Sequence, residues 1–366
     1  MSPSSSSSDP FRFLTATGPV AELTSARAWV GAILDVEAAL AGAQADAGDI
    51  PLSAAGGIAR ACDVARVDVD AVVDEAAGGG NLVIPLLPRL QAIIGPEDAG
   101  YLHRAATSQD IVDAASAVVV QRGAGVVSTQ LRRASQVAID LEQAAGAAPM
   151  IARTLGQHAV PTTFATVTSR WCDGLAAAAG GLDRTARQRV WLGGPSGDGA
   201  SFGPRRDEIL RHFAQRLDLD VAPASRHAQR AWIADVAGAW GTAATACAKV
   251  ALDVVVLAQD DIGEVTERSP GAGGSSSMPH KHNPIAAISA RAAAMQVPGL
   301  VATLLTAAGS GEAERAAGAW HAEWPALHGL LRATGSAAHW VGESLRRLHV
   351  DQARMAANLA RAQERR

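Results

Sequence analysis

The sequence predicts an all-α protein: a small N-terminal helical domain, then a long central helical bundle. Three observations carry that expectation. Apolar residues make up 48% of the 366 residues and aromatics only 4%, with 36 glycines, a composition of small side chains that lets helices approach closely. Several stretches with helical apolar periodicity run to more than twice the usual length of about 11 to 12 residues. No stretch alternates apolar and polar residues convincingly over a strand's length.

The elements follow in order. Residues 1–12, MSPSSSSSDPFR, read as a disordered tail, rich in serine and without the basic and apolar regions of a signal peptide. The N-terminal helical domain spans 13–104. Its main helix, over 20–48, places Trp29, Val30, Ile33, Leu34, Val36 and Leu40 on one side. Shorter helical pieces follow, broken by GGGN at 78–81 and by Pro85 and Pro88. The bundle spans 105–346. TSQD at 107–110 starts a helix that runs to about residue 145, because Thr107 or Ser108 can cap it and Asp110 suits its first turn. A second helix is expected after Pro161 towards Arg189, a third over 229–265, and two more after Pro284 and Pro325. So many long, Ala-rich helices leave apolar faces that one chain does not cover, which predicts a homo-oligomer.

Charge and cysteines narrow the function. A net charge of −4 gives no basic field for nucleic acid or anionic lipid. Cys62, Cys172 and Cys247 lie far apart in apolar settings. That pattern predicts reduced thiols in a cytoplasmic protein, whereas a metal site would want close pairs. No charge-free run of about 18 apolar residues is visible, so no membrane span is expected.

Three polar stretches interrupt the apolar pattern. GGSSSMPHKHNP at 273–284 sets glycines and serines before Pro279, Lys281, Asn283 and Pro284. By composition it reads as a solvated linker, yet a cation, an amide and free N–H groups on a mobile backbone also suit a carboxylate. HRAATSQDIVDAA at 103–115 reads as a capped helix start, whose N–H groups favour an anion. ARTLGQHAVPTTFA at 152–165 is the third.

Together these stretches resemble the fumarase/aspartase superfamily. Gly274, Ser275, Ser276, Met278, Pro279, Lys281, Asn283 and Pro284 fit its signature loop, GSSxMPxKxNP. The second stretch resembles its first conserved region in the TSxD form of adenylosuccinate lyases and 3-carboxy-cis,cis-muconate cycloisomerases. The third resembles RTHxQxAxPTT, with Leu155 where the pattern has His. Leucine cannot titrate or donate a hydrogen bond, and cycloisomerases carry an apolar residue there. SRHAQRAWIAD at 225–235 and GAWHAEWPAL at 318–327 resemble that same branch. By the resemblance, residues 347–366 are a short remnant of a C-terminal domain.

The resemblance implies homotetramers whose active sites draw on three subunits, with a small polycarboxylate as substrate. Ser275 is then the general base, and Lys281 and Asn283 stabilise the developing charge. Thr107, Ser108, Gln109, Arg153, Gln157, Arg230, Ser276 and Met278 bind substrate. His103 and His158 are candidates to protonate or position it, although a helix-start structural histidine is the plainer account of His158. Intramolecular lactonisation needs no cofactor or metal. Two other readings remain open: a lyase acting on adenylosuccinate, against which Leu155 argues, and a catalytically inactive helical scaffold, against which the intact loop argues.

Overall fold

The structure is a computed structural model describing residues 9–268, 273–275, 277–278 and 281–364. Most of the expected tail, and Ser276 with Pro279 in the loop, lie outside the described residues. The N-terminal part holds α1 (Arg12–Thr15), α2 (Pro19–Leu23), α3 (Ala26–Asp46), α4 (Leu52–Ala61), α5 (Val69–Gly79) and α6 (Val83–Ile94). Then come α7 (Ser108–Ala145), α8 (Ala165–Ala186), α9 (Arg206–Arg216), α10 (Ala231–Leu257), α11 (Ile285–Ala308), α12 (Ala319–Arg346) and α13 (Gln352–Glu364). Helices α7, α8, α10, α11 and α12 pack on one another as the bundle. Its core is mostly alanine and valine, with Trp171, Trp240, Leu131 and Leu330 filling the layers between.

Four sequence expectations are corrected. The helix expected over 229–265 ends at Leu257, after which the chain turns back through Gly263, whose φ of 62° suits glycine. Pro325 does not precede its helix but lies inside α12, two turns from the start. Short β pairings exist: β1 (Pro149–Thr154) with β2 (Gln157–Thr163), β3 (Arg189–Val190) with β4 (Asp220–Val221), and β5 (Val265–Glu267) with β6 (Leu348–Val350). The helix expected straight after Pro161 therefore begins at Ala165, because Pro161 belongs to β2. Three helices (α7, α10 and α11) are long and apolar enough, by length and composition alone, to cross a bilayer. One or two charges per window hid them from a search for charge-free runs.

The contacts fix which helix ends lie together. Asp113 in α7 meets Arg230 before α10 and Trp320 in α12, so those three N-terminal ends share one end of the bundle. Arg153 in β1 meets Glu264, whose carbonyl accepts from Asp351 N–H after α12. The β1–β2 hairpin, the root of the 273–284 loop and the C-terminal end of α12 thus share the other. Helix α7, with 38 residues, spans about 57 Å between the two.

Candidate active site

At the first end, Thr107 precedes α7 in extended conformation, with Ser108 as the first helical residue. The Asp110 carboxylate, 1% exposed, reaches back to Thr107 N–H at 2.9 Å. It also accepts from Gly193 N–H at 2.7 Å, Gly194 N–H at 3.0 Å and the His227 ring at 3.0 Å. Thr107 Oγ1 accepts from Arg315 Nη1 at 3.0 Å. Arg315 carries no local signal: it is one basic residue in the irregular GSGEAERAAG segment. The helix start, its hydroxyls and one arginine thus gather hydrogen-bond donors in one corner, the chemistry that an anion requires.

His103 stands just before this corner with a φ of 58°, its Nδ1 2.6 Å from Glu37 Oε1. Burial, the largest single influence, works against a charged imidazole, but the bond to Glu37 and the negative charges of Glu37 and Asp110 together outweigh it, and the pKa is raised above the ordinary 6.5.

Two predicted binding residues at this end are committed elsewhere. Arg230 is 2% exposed and uses all five N–H groups: Nε on Glu323, Nη1 on Asp113 and the Arg226 carbonyl, Nη2 on Asp113 and Glu323. Arg230 is therefore the centre of a buried ion-pair cluster, with no donor left over. Gln109 is fully buried and donates to the His227 carbonyl at 2.8 Å, pointing into its own subunit rather than to the helix mouth. Burial raises the Glu323 pKa, and the bond from Arg230 opposes that rise.

At the opposite end, β1 and β2 form a hairpin turned by Leu155 and Gly156, with φ of 49° and 78°. Both central residues at positive φ make the tight turn whose twist matches paired strands. Leu155 is wholly exposed at the tip. His158 lies on β2, opposite Arg153, and both it and Gln157 face solvent; this replaces the helix-start position expected for His158. Arg153 is bound bidentately to Glu264, at 2.8 and 3.0 Å, and Glu264 is fully buried.

The loop is rooted at the same end. The Glu267 carboxylate caps α11, accepting from Ala286 N–H at 3.0 Å and Ala287 N–H at 2.9 Å. Asn283 closes the loop by donating backbone N–H and side-chain amide to the Gly273 carbonyl, at 2.8 and 3.1 Å. Gly273 must be glycine: its φ is 79°, and a Cβ would lie 2.5 Å from the Asn283 carbonyl oxygen. Ser275 Oγ accepts from Ser277 N–H at 3.3 Å and Met278 N–H at 3.1 Å. Met278 and Lys281 are exposed, and no described carboxylate pairs with Lys281. Ser276 lies outside the described residues.

The sequence profile of the Lyase family matches residues 12–299. This chain belongs to that family. Within the fumarase/aspartase superfamily, the lyase member from Bradyrhizobium diazoefficiens named 3-carboxy-cis,cis-muconate cycloisomerase is 39% identical over 333 residues, covering 89% of this chain and 74% of that protein. A nitrosuccinate lyase from Streptomyces davaonensis is also 39% identical, over 362 residues, covering 93% and 74%. The crystal structure of 3-carboxy-cis,cis-muconate lactonizing enzyme from Pseudomonas putida superposes with a TM-score of 0.89 at 32% identity, over 95% of this chain and 79% of that one. The lyase chain and these relatives thus share a helical fold over most of their length.

Proposed function

We propose that this lyase-family chain interconverts 3-carboxy-cis,cis-muconate and 4-carboxymuconolactone, a step of protocatechuate catabolism, without a cofactor and as a homotetramer. The observation that carries the chemistry is the Ser275 hydroxyl beneath two backbone N–H donors. A serine is a poor base in water, but these donors stabilise its alkoxide once bound substrate and the assembled site exclude solvent from it. In the lactone-opening direction Ser275 takes the proton from the carbon beside a carboxylate. Charge moves into that carboxylate as an aci-carboxylate, the ring C–O bond breaks, and its oxygen leaves as a new carboxylate. Lactonisation is the reverse, with the serine returning the proton to carbon. Lys281 and the corner at Thr107 and Ser108 neutralise the substrate's carboxylates.

The two ends of α7 are too far apart for one substrate to touch both, which supports sites completed by other copies. Leu155 supports the cycloisomerase reading over an adenylosuccinate lyase, since the hairpin tip offers no titratable side chain there. The S. davaonensis relative favours one further reading, elimination from nitrosuccinate, which would release nitrite. The deciding experiment follows loss of diene absorbance with 3-carboxy-cis,cis-muconate, beside nitrite release from nitrosuccinate and fumarate release from adenylosuccinate. Wild type is expected to consume the diene, and Ser275→Ala to lose about 10²- to 10⁴-fold in rate while staying folded. Diene loss unaffected by Ser275→Ala rejects the loop mechanism; no diene loss at all rejects the substrate, and an inactive scaffold would show no turnover with any of the three.

A further inference from the structure

Two cavities meet beside α7, one to two turns beyond Ser108. The inner one, of about 250 Å³, is almost entirely apolar and is walled by Trp29, Leu82, Val112, Trp324 and Pro325. The outer one, of about 900 Å³, has a mixed lining in which Arg12, Arg27 and Arg332 stand with Asp68 and Asp70 among apolar side chains. Trp29, Leu82 and His328 line both, so they form the joint between the chambers.

At that joint the hydrogen-bonding chemistry does not balance. His328 Nδ1 is 3.1 Å from Trp29 Nε1, and His328 Nε2 is 3.1 Å from Arg332 Nη1. Indole and guanidinium nitrogens only donate, and a neutral imidazole has one acceptor. Burial, then the neighbouring Arg332, depress the His328 pKa to about 4, so the ring is neutral near pH 7. Whichever tautomer it takes, one contact sets N–H against N–H. Trp324, in the inner wall, also has an indole N–H buried without an acceptor among the described residues. The second nitrogen of Arg332 lies 4.0 Å from Asp9, the weakest of its attachments.

An apolar slot with surplus donors at its mouth fits a flat hydrocarbon body ending in a carboxylate. We propose that the joint is a carboxylate-recognition subsite: the unsaturated body of a small polycarboxylate occupies the inner chamber, and one carboxylate accepts from His328 and Arg332. The occupant is the substrate itself, because the inner wall continues the helix that begins with Thr107 and Ser108; this assignment rests on the cycloisomerase reading. The subsite distinguishes substrates that carry a carboxylate at this position from those that lack it.

The test uses benzene-1,2,4-tricarboxylate, a planar and unreactive tricarboxylate, titrated calorimetrically into the full-length protein. Arg332→Met and His328→Phe are each expected to weaken binding at least tenfold with unchanged thermal midpoints. Trp324→Phe keeps an aromatic side chain but removes the pyrrole ring with its N–H, and should weaken binding severalfold, which decides the matter if either other variant fails to fold. Equal affinity in all variants, or no binding by wild type, overturns the subsite. Kinetics separate the two proposals. Binding that needs Arg332, in a protein inert towards 3-carboxy-cis,cis-muconate, would reject the activity and keep the subsite. Turnover with KM unmoved by Arg332→Met and His328→Phe would reject the subsite and keep the activity.

Discussion

The Asp110 carboxylate accepts from Thr107, Gly193, Gly194 and His227, tying the start of α7 to the 193–194 turn and to the segment before α10. Asp110→Asn would set an amide N–H against one of these donors inside a buried pocket. The expected loss is about 3 kcal/mol, read in urea as a lower midpoint at unchanged slope; a loss below about 1 kcal/mol would show that the cluster relaxes freely. His103 makes a second residue-scale prediction. Its folded pKa is raised, so the stabilisation from Glu37 is complete below the unfolded value of 6.5 and fades as pH climbs through the folded one. The stability gap between wild type and His103→Asn should therefore be wider at pH 5.5 than at pH 9, and a gap independent of pH would remove the charged pair. At this scale the sequence singled out Thr107, Ser275 and Lys281 as candidates through their setting, but gave no sign of the partners of Arg230. Whether an arginine faces substrate or two carboxylates of its own chain depends on Asp113 and Glu323, 117 and 93 residues away.

Helices were legible where a cap and a long apolar period coincided, as in α7, and hairpins were not. The β1–β2 turn uses Leu-Gly at positions where Asn-Gly would have announced it, so the segment read as a lead-in to a helix. The same substitution makes a prediction at this scale. Leu155 holds a φ of 49° without a side chain that suits it and buries nothing at the tip within its own chain. Leu155→Asn should stabilise the hairpin by about 1 kcal/mol, visible as slower amide exchange between Ile151 and Val160. If the tip seats against another copy, activity should fall in the same variant; faster exchange would mean the turn is not strained.

For the whole molecule, the unburied part of the bundle and the separation of the candidate residues point the same way. Only 44% and 39% of the most apolar windows of α10 and α11 are buried within the chain, and Met295 and Leu305 lie bare on α11, 68% and 49% exposed. Faces of this kind need cover, and other copies of the bundle would supply it. Copies packed antiparallel would also bring one chain's Thr107 end beside another's loop and hairpin, an arrangement that α7 prevents within a single chain. The consequence is testable without knowing the assembly's shape. Thr107→Val and Ser275→Ala damage opposite ends, so each variant alone should be nearly inactive. Unfolded together and refolded as a mixture, they should recover a sizeable fraction of wild-type activity, because some mixed sites then combine an intact Thr107 with an intact Ser275. Mixing without unfolding should recover little if the oligomer exchanges slowly. Activity that never exceeds the sum of the two parents would mean that each site draws both residues from one chain, contrary to the geometry of α7.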